Sequence, residues 1–367
     1  MKKILTINNT IFYEENSKLY LNKETGAFFV NLQKLGHVVS AFQISQPKTS
    51  KDTFANFALT DTSIKIYEVK RNGNRALSFI RSFFVIQKAI VKNDFVYIFY
   101  PGPICQIIAM LCIVYRKPYG VYIRGEQGIE SSLSKTILRK AEAIFTISPS
   151  FTEKISKLNQ QTHTIRPMIG FKESDIVVNK KIDFTKNVYL LYVGRLVFDK
   201  GIFELLEAFE TLIGRSYNLH LNLVGNGPDY DKLVSMVKQK GLESNVSFFG
   251  MVSDKEKLIN IYKGSDIFVL PTYHEGFPRV LYEAMIMHMP ILTTFVGTIS
   301  YLMKDDVNSL EIIPKSAQSI VNQIEKLINQ SNLAQRLGNS GLKTIKNYLD
   351  DKKVGHAEQL NQFLETL

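Results

Sequence analysis

Four charged residues in the second half of the chain stand where they can act on a ligand. Arg195 and Lys200 lie in VGRLVFDKG (residues 193–201), directly after an apolar run. Gly194 lets the backbone turn sharply there. Two cations at a strand-to-helix junction suit a diphosphate, because free amides and the helix dipole already favour an anion. The guanidinium can grip two oxygens and the ammonium adds a point charge. Taken alone, the motif fits two solvated cations at a helix start equally well. A second loop, LVGNGPDYDKL (223–233), carries Gly225 and Gly227 for close backbone approach, and Pro228 suits a first helical turn. Asp229 and Asp231 look like a metal-binding Asp-x-Asp, but in a first helical turn their charge serves the dipole. The third motif is PTYHEGFPRVLYEAMIMHMP (271–290). Glu275 sits in a loop beside Gly276, and Glu283 follows eight residues later on a helix. A loop carboxylate can accept from sugar hydroxyls and a helix carboxylate from a ribose diol. The amides after Gly276 can face phosphate. The alternative is an amphipathic helix with two exposed glutamates. Apolar neighbours Phe277, Val280, Leu281, Ala284 and Met285 make a solvent-facing Glu283 the less natural choice.

These side chains need a scaffold that presents loops at one end. Apolar runs alternate with amphipathic helices throughout. The first half reads KILTIN, a helix near Thr25–Leu35, HVVSAFQI, then FVYIFY, YGVYIR, AIFTIS and HTIRP with helices between the later runs. The second half starts afresh with VYLLYV, LHLNLV, VSFF, DIFVLP, PILTT and SLEII. Strands without polar alternation, joined by helices, predict parallel sheets covered on both faces. Two series predict two doubly wound α/β domains, with a boundary near Arg166–Lys186. The stretch Gln318–Leu367 reads as helical with breaks near Gly338 and Gly341. In such sheets ligands bind beyond the carboxyl ends of the strands, which is where all three motifs fall.

The 367 residues exceed one ordinary core, and 45% are hydrophobic, which argues against disorder. Cys105 and Cys112, two helical turns apart, are too distant for a disulfide and read as core residues of a reducing compartment. The basic start, MKKILTINN, has too short an apolar run for a signal peptide. Phe95–Tyr115 is uncharged over 21 residues, but Pro101-Gly102-Pro103 divides it into strand, turn and helix rather than a membrane span. The net charge of +11 is lopsided: residues 1–166 hold 23 Lys and Arg against 11 Asp and Glu, and the remainder is nearly neutral. That split suits a first domain facing a membrane or an anionic acceptor. Lys70, Arg71, Arg75, Arg81, Lys88 and Lys92 interleave with Phe79, Ile80, Phe83, Phe84, Val85 and Ile86, as in a helix lying on an anionic membrane. A buried helix with solvated lysines is the alternative. No nucleic-acid-binding motif accompanies the basic charge, and no pair of histidines has metal-ligand spacing.

The three motifs together resemble the C-terminal domain of the retaining glycosyltransferases of GT-B fold, in the group-1 or family-four set. Their signature is a Glu, seven residues and a second Glu, preceded by a G-R-x-x-x-x-K-G loop. Both occur here, and the similarity runs from about Asn187 to Pro314. The resemblance implies two Rossmann-like domains facing each other across a cleft. Residues 1–170 would bind an acceptor, 171–345 a nucleotide-sugar, and 346–367 would form a helix packing back on the first domain. It implies Glu275, Arg195 and Lys200 as catalytic residues. Gly194, Gly225, Gly276, Phe277, Val280, Leu281 and Glu283 would bind the donor, with Gly250 and Met251 near its base. The implied reaction moves a hexose-type sugar, UDP-linked, to a hydroxyl of a lipid-linked or polysaccharide acceptor with retention. No metal or cofactor is expected, and the implied location is cytoplasmic, peripheral on the inner face of the cell membrane.

The sequence departs from the family in places. His288 stands where a Gly is common before Pro290, and Gly297-Thr298-Ile299-Ser300-Tyr301 replaces a Gly-Gly-x-Pro-Glu segment. Only Gly26 occupies the first loop where two glycines are common, and it is the residue there assigned to the acceptor or sugar. No His falls between Asp94 and Gln161, where many members carry one. Arg124 is the nearest substitute: it either meets acceptor or phosphate, or pairs with Glu126 or Glu130. His37 reads as a structural residue of a helix-end turn. Rival readings are another GT-B sugar-nucleotide enzyme, an epimerase or a phosphorylase, and a non-catalytic partner subunit.

Overall fold

A computed structural model describes the chain except residues 50, 51, 53, 54, 72–74, 124, 126, 127, 148, 166–168, 179, 276, 277 and 350–354, and the side chains of 75–77, 79 and 150. It divides into two compact units, Met1–Met168 with Lys352–Leu367, and Ile169–Asp351.

The first unit opens with β1 (Lys3–Ile7), the hairpin β2 (Phe12–Glu15) and β3 (Lys18–Leu21), and helix α1 (Lys23–Lys34). Asn22 caps α1 by accepting from the Thr25 amide. Strands β4 (Val38–Pro47), β5 (Phe57–Ala58) and β6 (Lys65–Lys70) follow, then helix α2 (Arg75–Lys92) and β7 (Phe95–Tyr100). After them come α3 (Pro103–Val114), β8 (Tyr119–Ile123), α4 (Ser132–Lys140), β9 (Ala143–Thr146), α5 (Pro149–Ser156) and β10 (Thr162–Thr164). The strands form one sheet in the order β10-β9-β8-β7-β1-β4-β2-β3-β5, with β6 also paired to β4. β1 lies parallel between β4 and β7, with Ile4 opposite both Val39 and Phe95. All of β7 and β8 is buried, as uninterrupted apolar strands covered on both faces must be. The uncharged stretch 95–115 is divided as its Pro-Gly-Pro requires, and among the described residues no helix is long and apolar enough to cross a membrane.

The sheet is not wholly parallel. β3 runs antiparallel to both β2 and β5. The β2–β3 loop has two residues, Asn16 and Ser17, both at positive φ (50° and 60°). Mirror-image turns of that kind match the strand twist and close a tight hairpin.

The second unit contains β11 (Val188–Val193), α6 (Ile202–Gly214), β12 (Leu219–Val224), α7 (Tyr230–Gln239), β13 (Val246–Gly250), α8 (Lys255–Lys263) and β14 (Ile267–Leu270). α9 (Arg279–Ile286), β15 (Ile291–Thr293), α10 (Ile299–Leu302), β16 (Leu310–Glu311), α11 (Ala317–Asn329) and α12 (Ser331–Leu349) complete it. Its six strands are parallel in the order β13-β12-β11-β14-β15-β16. One continuous core runs from Phe171 to Leu349. The breaks expected at Gly338 and Gly341 do not occur, for α12 runs through both. Both glycines are buried, and a Cβ at either would lie 3.1–3.3 Å from His288 or Met285. They are small for close packing and do not end the helix.

The last helix, α13 (His356–Thr366), belongs to the first unit and packs on α1. The His356 ring lies 4.3 Å from Phe28 and 4.6 Å from Tyr122, and its Nε2 is 2.5 Å from the Tyr97 hydroxyl. His37 has a structural place in the same region: its Nδ1 accepts from the Lys2 amide and its Nε2 pairs with Asn361 Oδ1 at 2.8 Å. Cys105 and Cys112 are buried and unbridged, and burial pushes each thiol up to about 12.

Candidate functional site

In the second unit the three motif loops all leave the carboxyl ends of parallel strands, and hydrogen bonds tie the first two together. After β11, Gly194 N donates to Val224 O (2.9 Å) and Leu196 N to Asn226 O (3.0 Å), while Gly225 N donates to Gly250 O (2.8 Å). Gly225 has φ +138°, and a Cβ there would overlap the Gly194 carbonyl. Only glycine fits. Asp229 Oδ2 accepts from the Phe198 amide at 2.8 Å, so this aspartate ties one glycine loop to the other.

The third loop meets the first at Gly201. That residue is left-handed (φ +67°), and a Cβ would overlap the Pro271 carbonyl oxygen. Nearby, Tyr273 N donates to Asp199 O at 2.8 Å. This close approach brings Lys200 and Glu275 together. Lys200 Nζ donates to Glu275 Oε2 at 2.7 Å, to His274 O at 3.1 Å and to Thr272 Oγ1 at 3.5 Å. The paired side chains are 20% and 18% exposed, withdrawn from bulk water but reachable. Beneath them Tyr192 is fully buried and its hydroxyl donates to Arg195 O at 2.8 Å. Burial, and then the nearby carboxylates of Glu275 and Asp199, push the Tyr192 phenol far above its ordinary range. Arg195 itself is exposed.

Glu283 is half-buried on α9 and accepts from the Tyr262 hydroxyl at 2.9 Å. Tyr262, on α8, is fully buried, stacked 6.0 Å from Phe268 and edge-on to Phe171. Its phenol is pushed well up, first by burial and then by Glu283. The carboxylate is therefore held by a donor whose own position is fixed.

The structure does not join all the expected residues. Gly250, left-handed at φ +61°, ends β13 beside Gly225, and Met251, the next residue, is 43% exposed. Val280 is half-buried. Leu281, expected to touch the donor, has its side chain sealed in the core and its amide bonded to Pro278 O. It presents nothing to a ligand. Gly26, expected to contact an acceptor, is buried within α1, where a Cβ would run into the Phe57 ring, so its smallness serves packing. Gly276, Phe277 and Arg124 lie outside the described residues. Sequence reasoning missed Tyr262, Thr272 and the linking role of Asp229. Thr272 and Asp229 lie inside the motif loops, but all three act through contacts more than 20 residues away, which local spacing does not show.

Parallel strands whose loops gather cations and carboxylates at one end form a doubly wound α/β unit, a fold type that binds ligands at that end. The second unit matches a known family in that place: residues 175–344 fit the family described as "Glycosyl transferases group 1". Over these residues the chain is similar to the group 1 glycosyltransferases. The capsular polysaccharide biosynthesis glycosyltransferase CapM of Staphylococcus aureus is 29% identical over 234 residues, 59% of this chain and 60% of CapM. The lipopolysaccharide core biosynthesis glycosyltransferase LpsE of Rhizobium meliloti is 26% identical over 211 residues, 56% of this chain and 60% of LpsE. The matches thus span about three-fifths of these relatives' length. Among solved structures, Anabaena Alr3699/HepE in complex with UDP superposes with a TM-score of 0.69 and 18% identity over all of both chains, and the fold is GT-B.

Proposed function

We propose that the protein is a retaining glycosyltransferase that moves a hexose-type sugar from a nucleoside diphosphate, UDP in the first instance, to a hydroxyl of a lipid-linked or polysaccharide acceptor in surface-glycan synthesis. The observation that carries this is the Lys200–Glu275 pair, set where the first and third motif loops meet. In the reaction the bond from the anomeric carbon to the diphosphate oxygen breaks and a bond to the acceptor oxygen forms. The acceptor's hydroxyl proton is released. The leaving diphosphate gathers negative charge, and in this reading Lys200, Arg195 and loop amides neutralise it. In this reading Glu275, anchored by Lys200, accepts from the sugar, and Glu283, anchored by Tyr262, from the ribose. Retention and the UDP preference follow from the family likeness, and the use of surface-glycan acceptors from the names of CapM and LpsE.

The basic first unit supports a peripheral membrane enzyme. On α2, Ile80, Phe84 and Val91 are 58–68% exposed beside exposed Arg81, Lys88 and Lys92. Co-sedimentation with anionic vesicles that falls with added salt is the expected behaviour.

The decisive test follows the donor's fate with and without a glycan or lipid-linked acceptor. Acceptor-dependent release of nucleoside diphosphate, matched by sugar in the acceptor and undiminished in excess chelator, is expected. Epimerised donor without acceptor, dependence on free phosphate, or no turnover of any donor would overturn the assignment.

A further inference from the structure

The first unit contains a cavity of about 300 Å³ at the carboxyl ends of its strands. It lies at the switch point of the sheet, where β1 is flanked by β4 on one side and β7 on the other. Its walls are mostly apolar: Ile11 beyond β1, Ile44 on β4, and Pro103 and Ile104 at the start of α3. Four polar side chains interrupt them: Arg71, Asn9, Gln43 and Ser78, the last on α2. Arg71, just beyond β6, is half-buried, and its guanidinium donates to Gln46 Oε1 over a long 3.4 Å. A guanidinium has five donors and can take an anion bidentately. Asn9 supplies a buried side-chain oxygen with no hydrogen-bond partner among the described residues. By contrast, Gln43, also in the wall, has both ends of its amide engaged, by Asn8 O and the Ile44 amide.

The surroundings extend this chemistry outward. One turn beyond Pro103 and Ile104, Ile107 is 41% exposed. Gln87 on α2 donates to the Tyr115 hydroxyl after α3 at 2.6 Å, which sets the exposed faces of α2 and α3 side by side. Those faces expose Phe83, Phe84 and Val114, with cationic Arg81, Lys88 and Arg116 among them.

We infer that this cavity receives a lipid phosphate: the first part of its apolar chain lies against Ile11, Ile44 and Ile104, and the phosphate meets Arg71. Asn9 accepts from a hydroxyl near that phosphate. A volume of this size holds only the part of the lipid next to the head, and the rest of the chain continues along the apolar faces of α2 and α3 toward the bilayer. The inference rests on the glycosyltransferase reading for its biological sense, since it makes the acceptor a glycosylated lipid phosphate whose sugar supplies the hydroxyl. Its test needs no sugar transfer, so each can fail while the other stands.

The test measures binding of farnesyl phosphate, farnesol and inorganic phosphate to the full chain by calorimetry, below the lipids' aggregation concentration. Farnesyl phosphate should bind at least about tenfold more tightly than either other probe. Arg71→Gln should lower its affinity about tenfold, to the level of farnesol, and leave farnesol unchanged. Ile11→Trp, which fills the cavity from a half-buried position, should weaken both lipids, with an unchanged thermal midpoint showing that the variant is folded. The inference is overturned if inorganic phosphate binds as well as farnesyl phosphate, marking a simple anion site. It is equally overturned if neither variant affects lipid binding, which would place the lipid on the exposed helix faces alone.

Discussion

Replacing Lys200 with Met keeps the stem and removes the charge. The ammonium donates to Glu275 Oε2, His274 O and Thr272 Oγ1, and the two charged side chains are about one-fifth exposed. Exposed ion pairs contribute ~0–1 kcal/mol. Breaking fully buried ones costs ~3–5 kcal/mol, because a charge is left unpaired. This pair falls between, so Lys200→Met should destabilise by about 2 kcal/mol, or roughly 4–8 °C in the midpoint for a unit of this size. Glu275→Gln in the same chain removes the orphaned charge, and the double variant should regain most of the midpoint. Turnover should behave differently. If Lys200 neutralises the leaving diphosphate, losing it costs about 2.7–4 kcal/mol of transition-state stabilisation, roughly 10²–10³ in kcat. The double variant would stay at least as slow. Thermal midpoints and steady-state rates on the four proteins of the cycle give the answer. If the double variant recovers turnover along with stability, Lys200 is only a structural counter-ion. A kcat for Lys200→Met within about threefold of the parent would refute the reasoning outright.

Two further outcomes follow from the same geometry. Tyr262→Phe removes the hydroxyl that donates to Glu283 Oε2 at 2.9 Å. A hydrogen bond to a charged group contributes about 1.5–3 kcal/mol, so donor KM should rise by roughly 10–100-fold with a smaller change in kcat, and steady-state kinetics against donor concentration would show it. An unchanged donor KM would remove Tyr262 from the site. The thiols of Cys105 and Cys112 should resist an aromatic disulfide reagent at pH 8 until the protein is denatured. Burial raises both from the ordinary 9.0 to about 12, so the stability they contribute is complete below pH 9 and declines as pH rises through 12. Denaturant midpoints measured from pH 8 to pH 11 should fall, and a Cys105→Ala/Cys112→Ala variant should fall less.

Much of this was legible because it is local. Apolar runs such as Val188–Val193 and Phe95–Tyr100 are continuous, so they read as buried parallel strands, and the glycine loops follow them directly. β6 was not foreseen: its residues alternate buried with half-buried or exposed ones, and as a short alternating run it lacks the continuous apolar signal. The antiparallel hairpin escaped for a related reason, since its turn uses Asn16 and Ser17 at positive φ without the glycine that usually marks such turns. Gly338 and Gly341 read as helix breakers because composition does not show a neighbour pressing on the backbone. At the site, residue types identified Lys200, Glu275 and Glu283, but not what orients them. Tyr262 on α8 meets Glu283 on α9 across 21 residues of chain, and Asp229 reaches Phe198 only because β11 and β12 are neighbours.

Thermal unfolding of the full chain against a panel of nucleoside diphosphate sugars, with the free diphosphates and monophosphates beside them, bears most directly on the account. A ligand present at 100 times its Kd adds about 2.7 kcal/mol of stability, roughly 5–10 °C for a unit of this size. The account predicts such a shift with at least one nucleoside diphosphate sugar, a weaker one with the monophosphate, and its loss in Arg195→Gln/Lys200→Met. If no nucleoside diphosphate moves the midpoint, or if the double variant responds as the parent does, the loops around Lys200 and Glu275 do not bind a donor.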